Sequence, residues 1–455
     1  MSASKQVRQA SLQELWLLSY PLIVTMGAQV LMQFVDRMFL SWYSHDALAA
    51  CVPAGLLTMT FASVFVGLAS YTGVFVSQYY GQKKFASVSV SFWQGILLSV
   101  ISAGLLAALT PFGNMLLRAF AHGPAVTPLE VQYFTIINLF GSFSVVNNVL
   151  ASFFSGQGKT KIVMWGVLGG NLINIILDYI LIFGKLGLAP MGVKGAAWAT
   201  VLGYGAMTLL FAWLVFSSSA CKQFKLAKLA GFYKPIFERM VRFGVPNGFG
   251  YLLDVVSFTL FTFMVGNISV VSLQASNIVM SMQPVVFTVV LGLGMGIQIL
   301  VSKYQGLNRP DLSVQVVKNA CRLGYSYAMV VAVAFFCASG FFIGLFIAPN
   351  SANAAEIMDK ALPLVKLISL FVLCDATYLI FGEALRGAGD TRYFMKVMLF
   401  CAWGLLIPGT WVIVYKLHAD VFWVWSWLTF YAGLTAVFML VRFWCGKWKN
   451  IRITA

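Results

Sequence analysis

The chain has 455 residues, is 60% hydrophobic and 10% charged, and carries a net charge of +16. That balance excludes an ordinary soluble domain. The apolar residues come in long blocks near the twenty or so needed to cross a bilayer, whereas a β-barrel would show short alternating segments, so the class predicted is an all-α polytopic membrane protein.

The blocks predict twelve transmembrane helices, at 15–39, 50–76, 90–113, 131–155, 162–184, 195–217, 241–266, 278–301, 321–347, 362–385, 395–416 and 421–444. The first block is long, contains Pro21 and Asp36 and has no small-residue cleavage site, so it reads as a span rather than a signal peptide. Twenty-three of the thirty Lys and Arg fall at the two ends of the chain or in the even-to-odd loops, Lys5, Lys83, Lys159, Arg309 and Arg386 among them. The opposite loops hold only Arg118, Lys185, Lys194, Lys360 and Lys416, while Arg37 and Lys366 lie near or within spans. The positive-inside rule then places both termini in the cytoplasm, which an even number of spans independently requires. Basic residues spread through short loops leave no domain to hold a nucleic acid. The seven cysteines (51, 221, 321, 337, 374, 401 and 445) and His45, His122 and His418 show no zinc spacing.

Along the chain, the first charge deep in a span is Asp36, with Gln33 beside it. The fourth span carries Asn147 and Asn148, and the fifth contains Gly170–Gly184, GNLINIILDYILIFG. Asn174 and Asp178, four apart, share one helical face there. Thr200 follows in the sixth span. The longest polar connection, 217–239, mixes basic and aromatic residues and predicts a short amphipathic segment on the cytoplasmic face. Beyond it come Asp254 in the seventh span, Gln283 and Pro284 in the eighth, and Lys366, Asp375 and Glu383 along the tenth.

A carboxylate in hydrocarbon costs several kcal/mol unless paired, protonated or coordinating an ion. Two carboxylates with an amide oxygen and a hydroxyl suit sodium, and the same acids would also carry protons. The structural alternative is interhelical glue, which amides and hydroxyls such as Gln33, Asn147 and Thr200 supply without a charge. Lys366 either neutralises an acid or snorkels outward. The aromatic excess, 15% of residues, either lines a pocket for flat cations or faces lipid, as Trp423, Trp425 and Trp427 do in the latter reading.

The halves repeat. A shift of 225 superposes Pro21 on Pro246, Gly67 on Gly292, Tyr79 on Tyr304 and Gly81 on Gly306 without a gap. A shift of 231 places Gly156–Thr160 on Gly387–Thr391. Six spans separate the copies, so two six-helix lobes related by pseudo-two-fold symmetry about the membrane normal are expected, the usual frame for alternating access. The acids are not repeated: Phe261 falls opposite Asp36, and Leu405 and Gly409 opposite Asn174 and Asp178. Gln29 falls opposite Asp254 and Ser144 opposite Asp375.

Taken together, VDRMFLSWYSHDALAA, SQYYGQ, FFSGQGKTK, NLINIILDYILIFGKLGLAPMGVKGAAWAT, GVPNGFGYLLD and ALRGAGDTR, in that order over essentially the whole chain, resemble the multidrug and toxic compound extrusion (MATE) family, NorM-like in particular. The resemblance implies a multidrug efflux antiporter, not an enzyme, that exports amphipathic organic cations in exchange for Na+ or H+. It implies an amino-terminal lobe at 1–220, a cytoplasmic linker at 221–240 and a carboxy-terminal lobe at 241–455. It puts a cation-coupling site, a possible Na+ site, on Asp36, Asn174, Asp178 and Thr200, and a second coupling or substrate site on Asp254 and Asp375. Two positions depart from the NorM pattern: Asp254, where Glu is usual, and Asp178, where Asn is usual. No cofactor other than the coupling ion is implied, and the partners expected are small organic substrates and membrane lipid around a plasma-membrane monomer. The alternative reading is a flippase for lipid-linked saccharides, whose pyrophosphate would need cations in the cleft; only Arg37 and Lys366 qualify.

Overall fold

The computed structural model describes residues 8–120, 123–228, 231–347 and 353–454; Lys5, His122 and residues 229–230 of the linker lie outside them. The helices are α1 (Leu12–Tyr43), α2 (His45–Gly81), α3 (Phe85–Phe120), α4 (Thr127–Phe140), α5 (Phe143–Gly156), α6 (Thr160–Phe183), α7 (Val193–Ser217) and α8 (Ser219–Phe224). They continue as α9 (Lys234–Gly266), α10 (Val270–Gly306), α11 (Pro310–Cys337), α12 (Ser339–Gly344) and α13 (Ala354–Ala388). The last two long helices are α14 (Thr391–Lys416), with π-helical stretches at Leu399–Leu406 and Val412–Lys416, and α15 (Val421–Trp444).

Among the described residues, eleven helices are long and apolar enough to cross a membrane. The fourth predicted span is α4 plus α5, bent by 43° at Gly141–Ser142, and counting that pair gives the predicted twelve. Its partner in the second half, α13, runs unbroken past Val372, the residue a shift of 231 sets opposite Gly141. Glycine weakens a helix interior where valine does not remove backbone order, so only the first half breaks.

The repeat is visible in the helix ends. α2 and α10 both have 37 residues, and a shift of 225 carries the ends of one onto the ends of the other. Each is capped by a serine: Ser44 Oγ accepts from Ala47 N–H and Ser269 Oγ from Ser272 N–H. Gly158 and Gly389, related by the 231 shift, both take positive φ just before α6 and α14. At about 1.5 Å per residue, α2 and α10 are near 55 Å long and exceed the ~30 Å hydrocarbon core, so they tilt or project beyond it.

The chain forms two compact units, Val24–Leu252 with Ile453–Ala455, and Met1–Ile23 with Leu253–Arg452. The divisions fall inside α1 and inside α9. In the first unit the early part of α9 crosses α2: a Cβ on Gly67 would lie 2.7 Å from Gly248 Cα, and Asn247 Nδ2 donates to the Gly67 carbonyl at 2.6 Å. In the second, the early part of α1 crosses α10, where a Cβ on Gly292 would lie 2.6 Å from Ile23 Cα. Ile23 and Gly248 are 225 residues apart, so the two crossings are one contact made twice.

The linker has the amphipathic pattern its composition predicts, with Lys222, Lys225 and Lys228 exposed, but its apolar side faces protein. Phe224 and Leu226 are buried, the Phe224 ring meets Phe85, Tyr80 and Phe153, and the Leu226 carbonyl accepts from Trp93 Nε1. Its apolar residues have protein to bury against, so they pack on α2, α3 and α5.

Candidate functional site

The site in the first unit depends on how closely α6 and α7 approach. Small residues line the contact, as membrane helices require for tight packing. A Cβ on Gly203 would fall 2.9 Å from Asn174 Cβ, one on Gly195 2.7 Å from the Leu181 carbonyl carbon, and one on Gly170 2.8 Å from Met207 Cε. Asn174 and Thr200 consequently face one seam, too narrow for a water molecule, which Met32 of α1 and Asn171, Tyr204 and Met207 also line.

One turn further along α6, Asp178 is fully buried and its carboxyl lies within electrostatic reach of that of Asp36 on α1. Asp36 is partly buried, and the neighbouring Arg37 is within electrostatic reach of it but itself exposed. Both oxygens of Asp178, both polar atoms of Asn174, one oxygen of Asp36 and Nδ2 of Asn171 are buried without a hydrogen-bond partner. Thr200 donates its hydroxyl hydrogen to the Ala196 carbonyl at 3.0 Å, which leaves its lone pairs free. Each such orphan costs roughly 1–3 kcal/mol, so the cluster is expensive as a mere structural device. Its oxygens are acceptors without donors, which is the donor set for a hard cation or for protons. Among the described residues no three His, Cys, Asp or Glu gather into a metal cluster, so the donor set is a mixed one of carboxylate, amide and hydroxyl. Leu40, Ile182, Val193 and Ala196 of the same helices pack with Cys51 of α2 as an apolar cluster. Tyr133 and Tyr204 lie within electrostatic reach of the acids.

In the second unit Asp254 of α9 lies within electrostatic reach of Asp375 of α13, both partly buried. Here a cation is built in. Arg386 lies within reach of Asp254 and forms a buried ion pair with Glu383, Nη1 to Oε1 2.7 Å, beneath the Phe394 ring at 4.9 Å. The charge count above assigns Arg386 to a cytoplasmic loop; the structure places it inside the last turn of α13 at 3% exposure. The i,i+3 carboxylate and the aromatic face make that burial tolerable. Lys366 does not neutralise an acid: it is exposed, with its ammonium 5.9 Å from the Phe336 ring, as a snorkelling side chain would be.

The repeat does not reproduce the first site. Opposite Asn174 and Asp178 stand Leu405, whose carbonyl accepts from Trp427 Nε1 at 3.1 Å, and Gly409, against which the Trp427 indole packs. Opposite Asp36 stands Phe261, fully buried, its ring 6.0 Å from that of Trp425. Indole and phenyl fill the space that acids occupy in the first half.

The structure therefore sets Asp36 near Asp178, Asn174 beside Thr200, and Asp254 within electrostatic reach of Asp375. Gln33 is exposed, and Asn147 is spent joining α5 to α7, donating to the Tyr204 carbonyl and accepting from Thr208. Sequence reasoning passed over Asn171, Tyr133, Tyr204 and Arg386. Asn171 precedes Asn174 by three and Tyr204 follows Thr200 by four, so helical spacing alone could have found both.

The family model described as MatE matches residues 21–180 and 246–412, which include Asp36, Asn174, Asp178, Asp254 and Asp375. A probable multidrug resistance protein NorM of Pseudomonas syringae pv. tomato is 26% identical, covering 97% of this chain and 96% of its own. One from Thermotoga maritima is 24% identical over 96% and 93%. The solved structure of a MOP superfamily transporter from Pyrococcus furiosus superposes with a TM-score of 0.86 at 18% identity, covering 99% of this chain and all of that one. An outward-facing multidrug resistance MATE family transporter gives 0.85 at 18% identity over the same share.

Proposed function

The chain belongs to the MatE family, a family of multi-pass membrane transporters and not of enzymes, and from that premise we propose that it exports amphipathic organic cations in exchange for Na+ or H+. The observation that carries the reading is the approach of Asp36 to Asp178 with Asn174 beside them, a buried cluster in which three of the four carboxylate oxygens receive no hydrogen bond. Relatives that are multidrug resistance proteins support the substrate class.

In this reading Asp36 and Asp178 supply charge, and Asn174 and Thr200 neutral oxygens. A cation or protons entering from outside stabilise the conformation that releases drug outward, and coupling is the difference in ion affinity between the two conformations. Asp254 and Asp375 serve substrate or a second ion, with Arg386 setting the local charge. The chain sits in a plasma membrane as a monomer, termini in the cytoplasm. The flippase alternative would need free cations in the cleft; Arg37 stands within electrostatic reach of Asp36, Lys366 lies against the Phe336 ring, and the buried Arg386 is committed to Glu383.

The test is dye efflux from proteoliposomes driven separately by a Na+ and by a proton gradient. One gradient should support export of an organic cation such as ethidium, and Asp36→Asn should remove that support. Export of no organic cation under either gradient overturns the reading.

A further inference from the structure

Where α3 ends and α4 and α7 begin, the first unit holds an open cavity of about 1110 Å³, slightly above the roughly 300–1,000 Å³ usual for small-molecule sites. Its walls are mostly apolar, with Pro128, Val131, Ile136, Met191 and Trp198 among them, and the Trp198 ring is backed by Phe140 at 5.1 Å. Its charges have a single sign. Arg118 at the end of α3 and Lys194 at the start of α7 both line it, and neither has an ion-pair partner among the described residues. These are two of the five Lys and Arg found in the loops opposite the termini, so the sparse positive charge of that side is concentrated here.

The polar groups agree in sense. Thr127 lines the cavity and its buried hydroxyl has no hydrogen-bond partner. It opens α4, whose amino-terminal partial positive charge lies at that end, while the Thr127, Leu129 and Glu130 N–H groups are bonded to the Gly123 and Val126 carbonyls. Thr135 is already engaged with Asn114. No carboxylate lines the cavity; Glu130, in the first turn of α4, is buried outside its lining. A cation placed here would face two like charges in apolar surroundings, whereas an anion would gain charge-assisted bonds from a guanidinium and an ammonium.

We infer that this cavity is a binding site for an amphipathic organic anion. The apolar body lies against Val131, Ile136 and Trp198, and the carboxylate, sulfonate or phosphate lies between Arg118 and Lys194. The site is opposite in charge to the acid cluster of Asp36 and Asp178, so one ligand does not satisfy both. Two sources share this chemistry, the headgroup of an acidic phospholipid and a free organic anion. The inference does not rest on the antiport reading, because binding is measured without an ion gradient.

The test is equilibrium binding of a dansylated undecanoic acid to the purified full chain in uncharged detergent, read by dansyl fluorescence. Saturable binding is expected, weakened about tenfold or more in the double variant Arg118→Gln, Lys194→Gln. The methyl ester of the same probe should bind the natural protein as weakly as the acid binds that variant. The charge-keeping double variant Arg118→Lys, Lys194→Arg should stay within about threefold of the natural protein. Both residues are exposed, so folding is expected to survive, and unchanged thermal unfolding checks it. Equal affinity of the acid for natural protein and Gln double variant overturns the site, as does equal affinity for acid and ester. In phosphatidylcholine nanodiscs, displacement of the probe by added phosphatidylglycerol assigns the site to lipid headgroups, and retention assigns it to free anions. Either result supports an anion site.

Discussion

Gly67 on α2 and Gly248 on α9 meet backbone to backbone, so closely that a Cβ on Gly67 would lie 2.7 Å from Gly248 Cα. Two helices distant in the chain are thereby locked in one compact unit, helped by the Asn247 amide on the Gly67 carbonyl. Gly248→Val should cost roughly 1–3 kcal/mol by overpacking. Gly104, whose Cβ would meet nothing within 4 Å, supplies the control: Gly104→Ala should be neutral or slightly stabilising. Thermal unfolding of both variants in detergent distinguishes them, and equal midpoints would contradict the packing argument.

Asp36 and Asp178 lie within electrostatic reach of one another, so they should act as one unit. Asp36→Asn and Asp178→Asn should each cut gradient-driven dye efflux by about tenfold or more, and the double variant should be little worse than the poorer single. Proteoliposome efflux measures this. Additive losses would mean that the two carboxylates work separately.

Gly203 holds α7 against Asn174, with room for no side chain. Gly203→Ala would displace Asn174 by tenths of an ångström while leaving both acids in place. Reduced ion affinity with near-normal expression is the expected outcome, read as a higher ion concentration for half-maximal efflux. A wild-type ion dependence would remove Asn174 from the ligand set.

The Glu383–Arg386 pair is buried on both sides, at 2% and 4% side-chain exposure. Glu383→Gln removes the carboxylate that is ion-paired with the buried guanidinium and should destabilise by about 3–5 kcal/mol. Replacing both, as Glu383→Leu with Arg386→Met, should cost less than that single change. A double-mutant cycle on unfolding midpoints tests this; an additive cycle would show that the pair is not coupled.

Much of the protein was legible in its sequence. The long apolar blocks set the helices, the gapless 225 shift anticipated that α2 and α10 would match end for end, and the bare carboxylates marked their own positions. Helical period also put Asn174 and Asp178 on one face. Period does not say which helix that face meets, because lipid and helix partners are equally apolar and leave no hydrophobic stripe to read. That Thr200 shares a seam with Asn174 was decided by the close approach of α6 and α7 at Gly170, Gly195 and Gly203, and that Asp36 lies near Asp178 by the placement of α1 beside α6, where Phe39 meets Tyr179 and Phe183. The exchange of half-helices at Gly67–Gly248 and Ile23–Gly292 was likewise a matter of crossing geometry. Arg386 looked like a loop charge until Glu383 and Phe394 closed around it. The sequence by itself determined which groups were too costly to bury alone; only the tertiary structure decided which of them were buried together, because that depends on contacts between helices far apart in the chain.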